Sequence, residues 1–347
     1  MAMSFGEESK IGIVGAGAIG GITSALLHRE GYDIEVACNS AELAGKLRSS
    51  GLHLFGLKRD FRVTLPAVEH ASNFSGQKDI ILLATKANDV VAAARDTLPF
   101  LTENSKVVCM QNGMCEFAVA EVVGSERTVG CIIGWSATRH APGELELTAG
   151  GNYILGNMFD RDDSCLPSLS EILGSIFPVL ISQNMMGHRY AKLVINACIA
   201  PLGVLSGLCL GEMLAIRKIR NFVIAIIAEC MAVAYGMGIA VERFIPGIDY
   251  CAFLRGSNMI ANLKRHVLIQ LIGMKYCRLR SSSLTSLEHG RPTEIDYLNG
   301  YIAERGSEHG IPTPVNSRIV ELVKEIESGK RHVSLKNLDD PILLMYV

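Results

Sequence analysis

A strand that runs into G-x-G-x-x-G and re-emerges as a helix leaves a chain few folds to choose from. Gly15-Ala16-Gly17-Ala18-Ile19-Gly20 follows the apolar run Ile11–Val14 and opens a helical pattern over residues 18–30. In that context Gly15 permits a tight turn and Gly17 lets the backbone approach a pyrophosphate. Gly20 then lets the helix pack close to the strand. The N–H groups of the first helical turn face the phosphates. A second apolar run, Ile34–Ala37, follows at βαβ spacing. The loop therefore reads as a dinucleotide cradle made of Gly15, Ala16, Gly17, Ala18, Ile19 and Gly20.

The rest of the first half agrees. Ile80–Ala84, Val107–Met110 and Val129–Ile133 are further short apolar runs, separated by helical patterns near 40–50, 88–101 and 115–122. Apolar strands alternating with helices predict a parallel, doubly wound sheet. Tyr153–Leu155 and Val179–Ser182 extend it as edge strands. From His188 onward the pattern turns to long helices punctuated by Gly and Pro. The expected class is α/β plus all-α, with a doubly wound domain over residues 1–186, a helical domain over 187–330 and a tail over 331–347.

At 347 residues both domains are large enough to bury a core. A net charge of −2 with interspersed signs argues against a nucleic-acid surface. The ten cysteines lie scattered with no C-x-x-C pair, as expected for apolar core residues in a reducing cytoplasm. No signal-peptide pattern opens the chain. The apolar stretch Phe222–Val241 is long enough to cross a bilayer, but Glu229 in its middle and Gly236 and Gly238 near its end favour a buried helix. Neither a metal site nor a membrane partner is read from the chain, and a homodimer is left open.

The second strand ends Ala37-Cys38-Asn39-Ser40, without the carboxylate that usually holds the ribose hydroxyls of NAD. Asn39, Ser40 and Lys46 can donate to a 2′-phosphate, so NADPH is the expected cofactor, with NADH not excluded. Thr85-Lys86-Ala87 and Gln111-Asn112-Gly113 follow the third and fourth apolar runs, where strand ends line the crevice of such a sheet. Lys86 is either a ligand for the cofactor or a solvated loop lysine. Asn112 either bonds cofactor and substrate or belongs to an ordinary Asn-Gly turn.

In the second half, Arg189–Ala200 reads as a helix running into Pro201, with Lys192, Asn196 and Ala200 on one face. The block from Ser281 to Gly300 carries a carboxylate, Glu294, behind Gly290 and Pro292, which read as a helix start. Helical spacing places Glu294 on a stripe with Ile295, Leu298, Tyr301 and Ile302, and turns Asp296 away. A carboxylate on an apolar stripe needs a partner, and Lys192 is the candidate. In a partly dry cleft a lysine is a competent general acid for carbonyl reduction. The pair reads equally as a structural bridge between two helices.

Taken together, these residues resemble the ketopantoate reductase (2-dehydropantoate 2-reductase) family. The likeness rests on Gly15-x-Gly17-x-x-Gly20, Thr85-Lys86, Gln111-Asn112-Gly113 and Lys192-x-x-x-Asn196. It continues through Ser281-Ser282, Gly290-Arg291-Pro292-Thr293-Glu294-Ile295-Asp296-x-x-Asn299-Gly300 and Gly310-Ile311-Pro312-Thr313-Pro314-Val315-Asn316. The resemblance implies a Rossmann domain, a helical domain like that of 6-phosphogluconate dehydrogenase, and NADPH-dependent reduction of 2-dehydropantoate to (R)-pantoate. It assigns Lys192 as general acid, with Glu294 orienting that lysine and the substrate hydroxyl beside the cofactor. Asn196, Ser282 and Asn112 bind substrate, and Lys86 and Asn112 line the cofactor side. Four positions depart from the family pattern. Ala200 stands where an Asn precedes Pro-Leu, and Asn39 replaces an Arg. Cys115 replaces a Gly, and Ser281–Ser286 reads S-S-S-L-T-S in place of S-S-M-x-Q-D. These bear on the substrate more than on the chemistry, and leave two further readings: a relative acting on another 2-oxo acid, or a dinucleotide-binding protein without turnover.

Overall fold

The short apolar runs of the first half become strands because a parallel sheet covered on both faces has no polar side to show. In chain order they are β1 (Ile11–Val14), β2 (Ile34–Ala37), β3 (Leu52–Gly56), β4 (Arg59–Val63), β5 (Ala67–Val68), β6 (Lys78–Leu83), β7 (Leu101–Cys109), β8 (Thr128–Ile133), β9 (Ser136–Ala141), β10 (Glu144–Ala149), β11 (Tyr153–Gly156) and β12 (Val179–Ile181). The computed structural model describes residues 5–159, 164–243 and 248–345. The chain divides into two units, Met1–Met185 and Met186–Val347.

In the first unit eight strands form one sheet, ordered β12-β11-β8-β7-β6-β1-β2-β5. From β5 through β2, β1, β6 and β7 to β8 all pairs are parallel. Strand order reverses beside β1, and such folds bind ligands where it does. The two expected edge strands extend the sheet at its far side. β11 pairs antiparallel with β8, and β12 runs parallel to β11. No helix crosses between β8 and β11; a hairpin connects them, so the chain returns in the opposite sense.

That hairpin belongs to a second sheet, β4-β3-β10-β9, which has no counterpart in the sequence reading. Its strands carry alternating charges, as in Arg59-Asp60-Phe61-Arg62-Val63. The β3–β4 turn is made by Leu57 and Lys58 at φ 44° and 63°. Asn and Gly usually mark such a turn. Leu52, Leu54, Leu145 and Leu147 are buried against α1 (Ala18–Arg29), where a Cβ on Gly21 would meet Leu145 Cδ1 at 2.5 Å. The remaining helices of this unit are α2 (Ala41–Ser49), α3 (Val90–Thr97), α4 (Glu116–Val123) and α5 (Leu166–Gly174). α3 stops short of residue 101, because a 3-10 turn around Pro99 leads straight into β7.

The helical elements that follow are α6 (Met185–Ser206), α7 (Leu210–Ala215), α8 (Arg217–Gly236), α9 (Tyr250–Leu254), α10 (Met259–Lys275), α11 (Ser282–Glu288), α12 (Asn299–Glu308), α13 (Pro314–Glu327) and α14 (Pro341–Leu344). α6 does not end at Pro201 but continues to Ser206. Proline lacks the N–H that would bond the carbonyl four residues back, here that of Ala197. The side-chain amide of Asn299 supplies the missing donor, at 3.0 Å.

α8 is long and apolar enough to cross a bilayer, yet half of its most apolar window is buried within the protein. Its Glu229 caps α13: the carboxylate accepts from the N–H groups of Val315 (2.8 Å) and Asn316 (2.9 Å) and from Asn316 Nδ2 (2.6 Å). Burial pushes the Glu229 carboxyl pKa up, against the pull of these donors. The tail packs on the same unit. Ser334 N and Asn337 Nδ2 donate to the Leu205 carbonyl at 3.1 and 3.0 Å, and Arg318 pairs with Asp340 at 2.8 Å. Residues 346 and 347 of the tail lie outside the described residues.

Candidate active site

In the first unit the loop after β1 is shaped by sterics. Gly15 has φ 108°, and a Cβ there would meet the Ala84 backbone at 2.9 Å. A Cβ on Gly20 would lie 2.0 Å from the Gly15 carbonyl oxygen. A Cβ on Gly17, by contrast, would meet nothing within 4 Å. Two glycines are thus needed for chain-on-chain contact, and the third faces open space. Gly17 caps α1 without a side-chain bond, and the first turn of α1 carries no acidic residue. Its N–H groups therefore point at a ligand position that favours anions. These residues fit a dinucleotide pyrophosphate.

Three more of the expected residues follow the C-terminal ends of parallel strands of the same sheet. Asn39 follows β2 and is exposed; Lys86 follows β6 and is exposed; Asn112 follows β7 and is half-buried. Two of the residues expected near the end of β2 also make local bonds. Ser40 Oγ accepts from Leu43 N–H (3.2 Å) as the cap of α2, and Lys46 Nζ donates to the Pro142 carbonyl (2.7 Å). Neither bond uses up the group's donors, since the Ser40 hydroxyl accepts here and an ammonium has three hydrogens. Gln111, named in the sequence only as part of its motif, has a role that sequence reasoning did not assign. It is buried, and its Nε2 donates to the Leu83 carbonyl (2.9 Å) and to Thr85 Oγ1 (3.4 Å). It ties the Thr85-Lys86 loop to the Asn112 loop.

In the helical unit, Lys192, Asn196 and Ala200 share one side of α6, and two distant segments bond to that helix. Ser281 Oγ donates to the Ala200 carbonyl (2.8 Å) and accepts from Leu284 N–H (3.2 Å), so it both anchors and caps α11. Ser282, the next residue, is exposed at the start of α11. Asn299 Nδ2 reaches the Ala197 carbonyl and also Asn316 Oδ1 (2.8 Å). With Asn316 bonded to Glu229, a buried polar chain runs from α8 through α13 and α12 to α6. Asn196 Nδ2 is buried with no hydrogen-bond partner among the described residues. A buried donor in that state is suited to a ligand acceptor.

Glu294 is buried, but not on a continuous helix. Gly290, at φ 66°, closes α11: its N–H bonds the Leu287 carbonyl (2.8 Å) and Arg291 N–H bonds that of Ser286 (2.9 Å). A glycine at a helix C-terminus does this readily, so Gly290-Arg291-Pro292 ends one helix and does not start another. A 3-10 turn spans Ile295–Tyr297, and the backbone at Leu298 (φ −110°, ψ −100°) separates it from α12. The expected sidedness survives the break. Ile295, Leu298 and Ile302 are buried, Tyr301 is half-buried, and Asp296 is exposed and paired with Lys324 at 2.6 Å. Thr293 N–H donates to Glu327 of α13 at 2.6 Å, which fixes Glu294 from the residue before it.

Between α6, α7, α8 and α10 lies an apolar pocket of about 90 Å³, lined by residues including Val194, Cys198, Leu214, Val223 and Ile269. A carboxylate ligand needs convergent polar groups, and this pocket offers none.

Comparison with known proteins fixes the relationship. The family described as ketopantoate reductase PanE/ApbA matches residues 11–160, and its C-terminal counterpart matches residues 184–327. This chain belongs to the ketopantoate reductase family. Membership makes it an oxidoreductase. Among similar family members, the 2-dehydropantoate 2-reductase of Lactococcus lactis is 26% identical over 337 residues, covering 92% of this chain and 98% of that one. That of Pyrococcus abyssi is 26% identical over 330 residues, covering 93% and 100%. The fold recurs in a PanE/ApbA family ketopantoate reductase from Ralstonia eutropha (TM-score 0.79, 24% identity, 93% and 100% covered). It recurs also in D-mandelate dehydrogenase solved with NADH and anilino(oxo)acetate (TM-score 0.80, 24% identity, 92% and 99% covered).

Within this ketopantoate reductase fold, several motif residues turn out to have structural duties. Asn299 repairs the helix at Pro201, Asn316 links Asn299 to Glu229, and Thr293 and Asp296 tie the Glu294 segment to α13. Cys115 precedes α4 with its Sγ 3.5 Å from the Asn112 carbonyl. Ala200 is buried and puts no polar side chain on the face it shares with Lys192.

Proposed function

We propose that the protein reduces a 2-oxo acid to its 2-hydroxy acid with a nicotinamide dinucleotide, NADPH in the first instance. The default substrate is 2-dehydropantoate, reduced to (R)-pantoate in pantothenate biosynthesis. Held by Gly15–Gly20, Asn39, Lys86 and Asn112, the dinucleotide would supply the hydride to the 2-oxo carbon. As the carbonyl electron pair moves onto oxygen, the Lys192 ammonium donates the proton that completes the hydroxyl. The neutral lysine is then re-protonated from solvent. Glu294 orients the ammonium and accepts from a substrate hydroxyl, Asn196 Nδ2 donates to the substrate, and Ser282 meets its carboxylate.

The observation that most supports this reading is the bracketing of α6. Two segments from the far end of the chain bond to the carbonyls of Ala197 and Ala200, bringing the Ser281 and Glu294 segments to the helix of Lys192 and Asn196. The NADPH preference rests on the missing carboxylate after β2, since nothing there repels a 2′-phosphate.

A second reading keeps the chemistry and changes the acid. Ala200 removes a polar group from the substrate face, and the fold is shared with D-mandelate dehydrogenase. A site without that hydrogen bond discriminates differently among 2-oxo acids. One experiment separates the readings: oxidation of NADPH and of NADH followed with a panel of branched, aromatic and hydroxylated 2-oxo acids. The highest kcat/KM with 2-dehydropantoate and NADPH is expected. A preference of ten-fold or more for another acid selects the second reading, and dinucleotide binding with no turnover across the panel overturns both.

A further inference from the structure

The β3–β4 hairpin lies over α1 as a flap whose own turn works against it. Leu57 and Lys58, at φ 44° and 63°, are the only residues other than glycine with positive φ among the described residues. That backbone is costly for any residue with a side chain. β4 is also the edge strand of its sheet, beside β3. Inward, Phe61 and Val63 pack against the core, and the Arg29 guanidinium at the end of α1 lies 4.0 Å from the Phe61 ring centre. Leu52 of β3 and Leu145 of β10 crowd Gly21 in the first turn of α1: a Cβ there would meet their Cδ1 atoms at 3.1 and 2.5 Å. The flap therefore backs the helix that presents Gly15–Gly20.

On the outer face a row of four side chains holds the flap down. Arg62 Nη2 donates to Glu144 Oε1 at 2.8 Å, His53 Nδ1 lies 2.6 Å from Glu144 Oε2, and His53 Nε2 lies 2.8 Å from Asp60 Oδ1. An ionised carboxylate only accepts, so both contacts of the ring are hydrogen bonds only when both nitrogens carry a proton. A neutral imidazole has one N–H and can serve one carboxylate. The groups facing His53 are thus Asp60 and Arg62 from β4 and Glu144 from β10. Next along the sheet, His140 of β9 lies 2.7 Å from Glu146 of β10, and the Phe55 ring touches both imidazoles, at 5.1 and 5.4 Å. Lys46 of α2 is engaged with the Pro142 carbonyl.

We propose that His53 is a proton-operated latch for the β3–β4 flap. Protonated, it joins β3 to β4 through Asp60 and β3 to β10 through Glu144; deprotonated, it lets go of one of the two. The Asp60 carboxylate, and after it Glu144, hold the His53 pKa above its ordinary value of 6.5. Arg62, and after it His53, hold the Glu144 carboxyl below its ordinary value of 4.5. A histidine raised in the folded state contributes its full stabilisation below the unfolded pKa and loses it as the pH rises through the folded one. The flap is therefore latched in mild acid and loosens as the pH climbs past 6.5.

The test is amide hydrogen exchange of the intact protein at about pH 6 and about pH 9, corrected for intrinsic rates, beside an NMR titration of His53. Between the two conditions, protection of β4 should fall about three- to ten-fold more than that of the core strand β1. His53→Gln, which can donate but cannot be protonated, should abolish that difference while leaving β1 as it was. In the titration, His53 should lose its proton above 6.5. A His53 that titrates at or below that value, or a pH difference that persists in His53→Gln, overturns the latch. Asp60→Asn covers the case in which His53→Gln disturbs the whole sheet, since Asp60 is exposed and only one link is touched. It should lower the midpoint of the His53 titration and shrink the pH effect on β4; if neither moves, the proposal fails.

Discussion

The Gly15–Gly20 loop and the Ser281–Gly300 block are both rich in motif residues, but they reach their shapes by opposite routes. The loop is defined by six consecutive residues and the strand end beside them. The block takes its position from far along the chain: Ser281 holds Ala200, 81 residues away, and Asn299 holds Ala197, 102 residues away. In the loop each constraint is a contact between backbones, which cannot be relieved by moving a side chain. In the block each constraint is a hydrogen bond, which can be lost singly and at modest cost. Damage to the loop should therefore be abrupt and confined to the dinucleotide. Damage to the block should be graded and appear in turnover and stability.

The sharpest way to break that division is Lys192→Ala. Loss of a general acid should lower kcat by about 100- to 10,000-fold while dinucleotide Kd, from fluorescence titration, moves less than about three-fold. An equal change in both would dissolve the separation. Gly20→Ala comes next. Its Cβ cannot fit beside the Gly15 carbonyl, so dinucleotide affinity should fall about 100-fold, or close to 3 kcal/mol. Gly17→Ala has room for the methyl group in the protein itself. It should leave Tm unchanged and weaken only the ligand, by about ten-fold; a lowered Tm would show that Gly17 also serves the fold. Asn299→Ala should cost about 1–3 kcal/mol in chemical denaturation, with dinucleotide Kd unmoved, since it strands the Ala197 carbonyl. The smallest effect belongs to Asn39. Asn39→Asp should shift the NADPH/NADH ratio of kcat/KM towards NADH by several-fold, and Asn39→Arg the other way. No shift in either variant would remove residue 39 from cofactor choice.

How much of this was legible in the sequence follows the same division. The strands beside the loop, and the glycine roles, depend on neighbours in the chain and could be read directly. The β3–β4 hairpin could not, because Leu57 and Lys58 adopt a backbone that sequence patterns associate with Asn and Gly. In the block, apolar spacing placed Glu294 on the inner side even though the helix it implied is interrupted at Leu298. Gly290 was read as a helix start, because glycine stands at both kinds of helix boundary, and its positive φ shows that it ends a helix instead. The partners of Glu229 and Asn299 were out of reach. Nothing local in either segment says which backbone groups lie across from it.

The helix carrying Lys192 has one defect, at Pro201, and one repair, at Asn299, and this makes the two positions non-additive. Replacing an interior helical proline by alanine ordinarily stabilises a protein. Here the restored N–H would compete with Asn299 for the Ala197 carbonyl and leave buried amide hydrogens without an acceptor. The gain from Pro201→Ala alone should be largely cancelled, and the double change with Asn299→Leu should recover more than the sum of the two single changes. In a double-mutant cycle the coupling term would carry most of the effect. A lineage that loses one of these residues is under pressure to lose the other, so the pair should drift together.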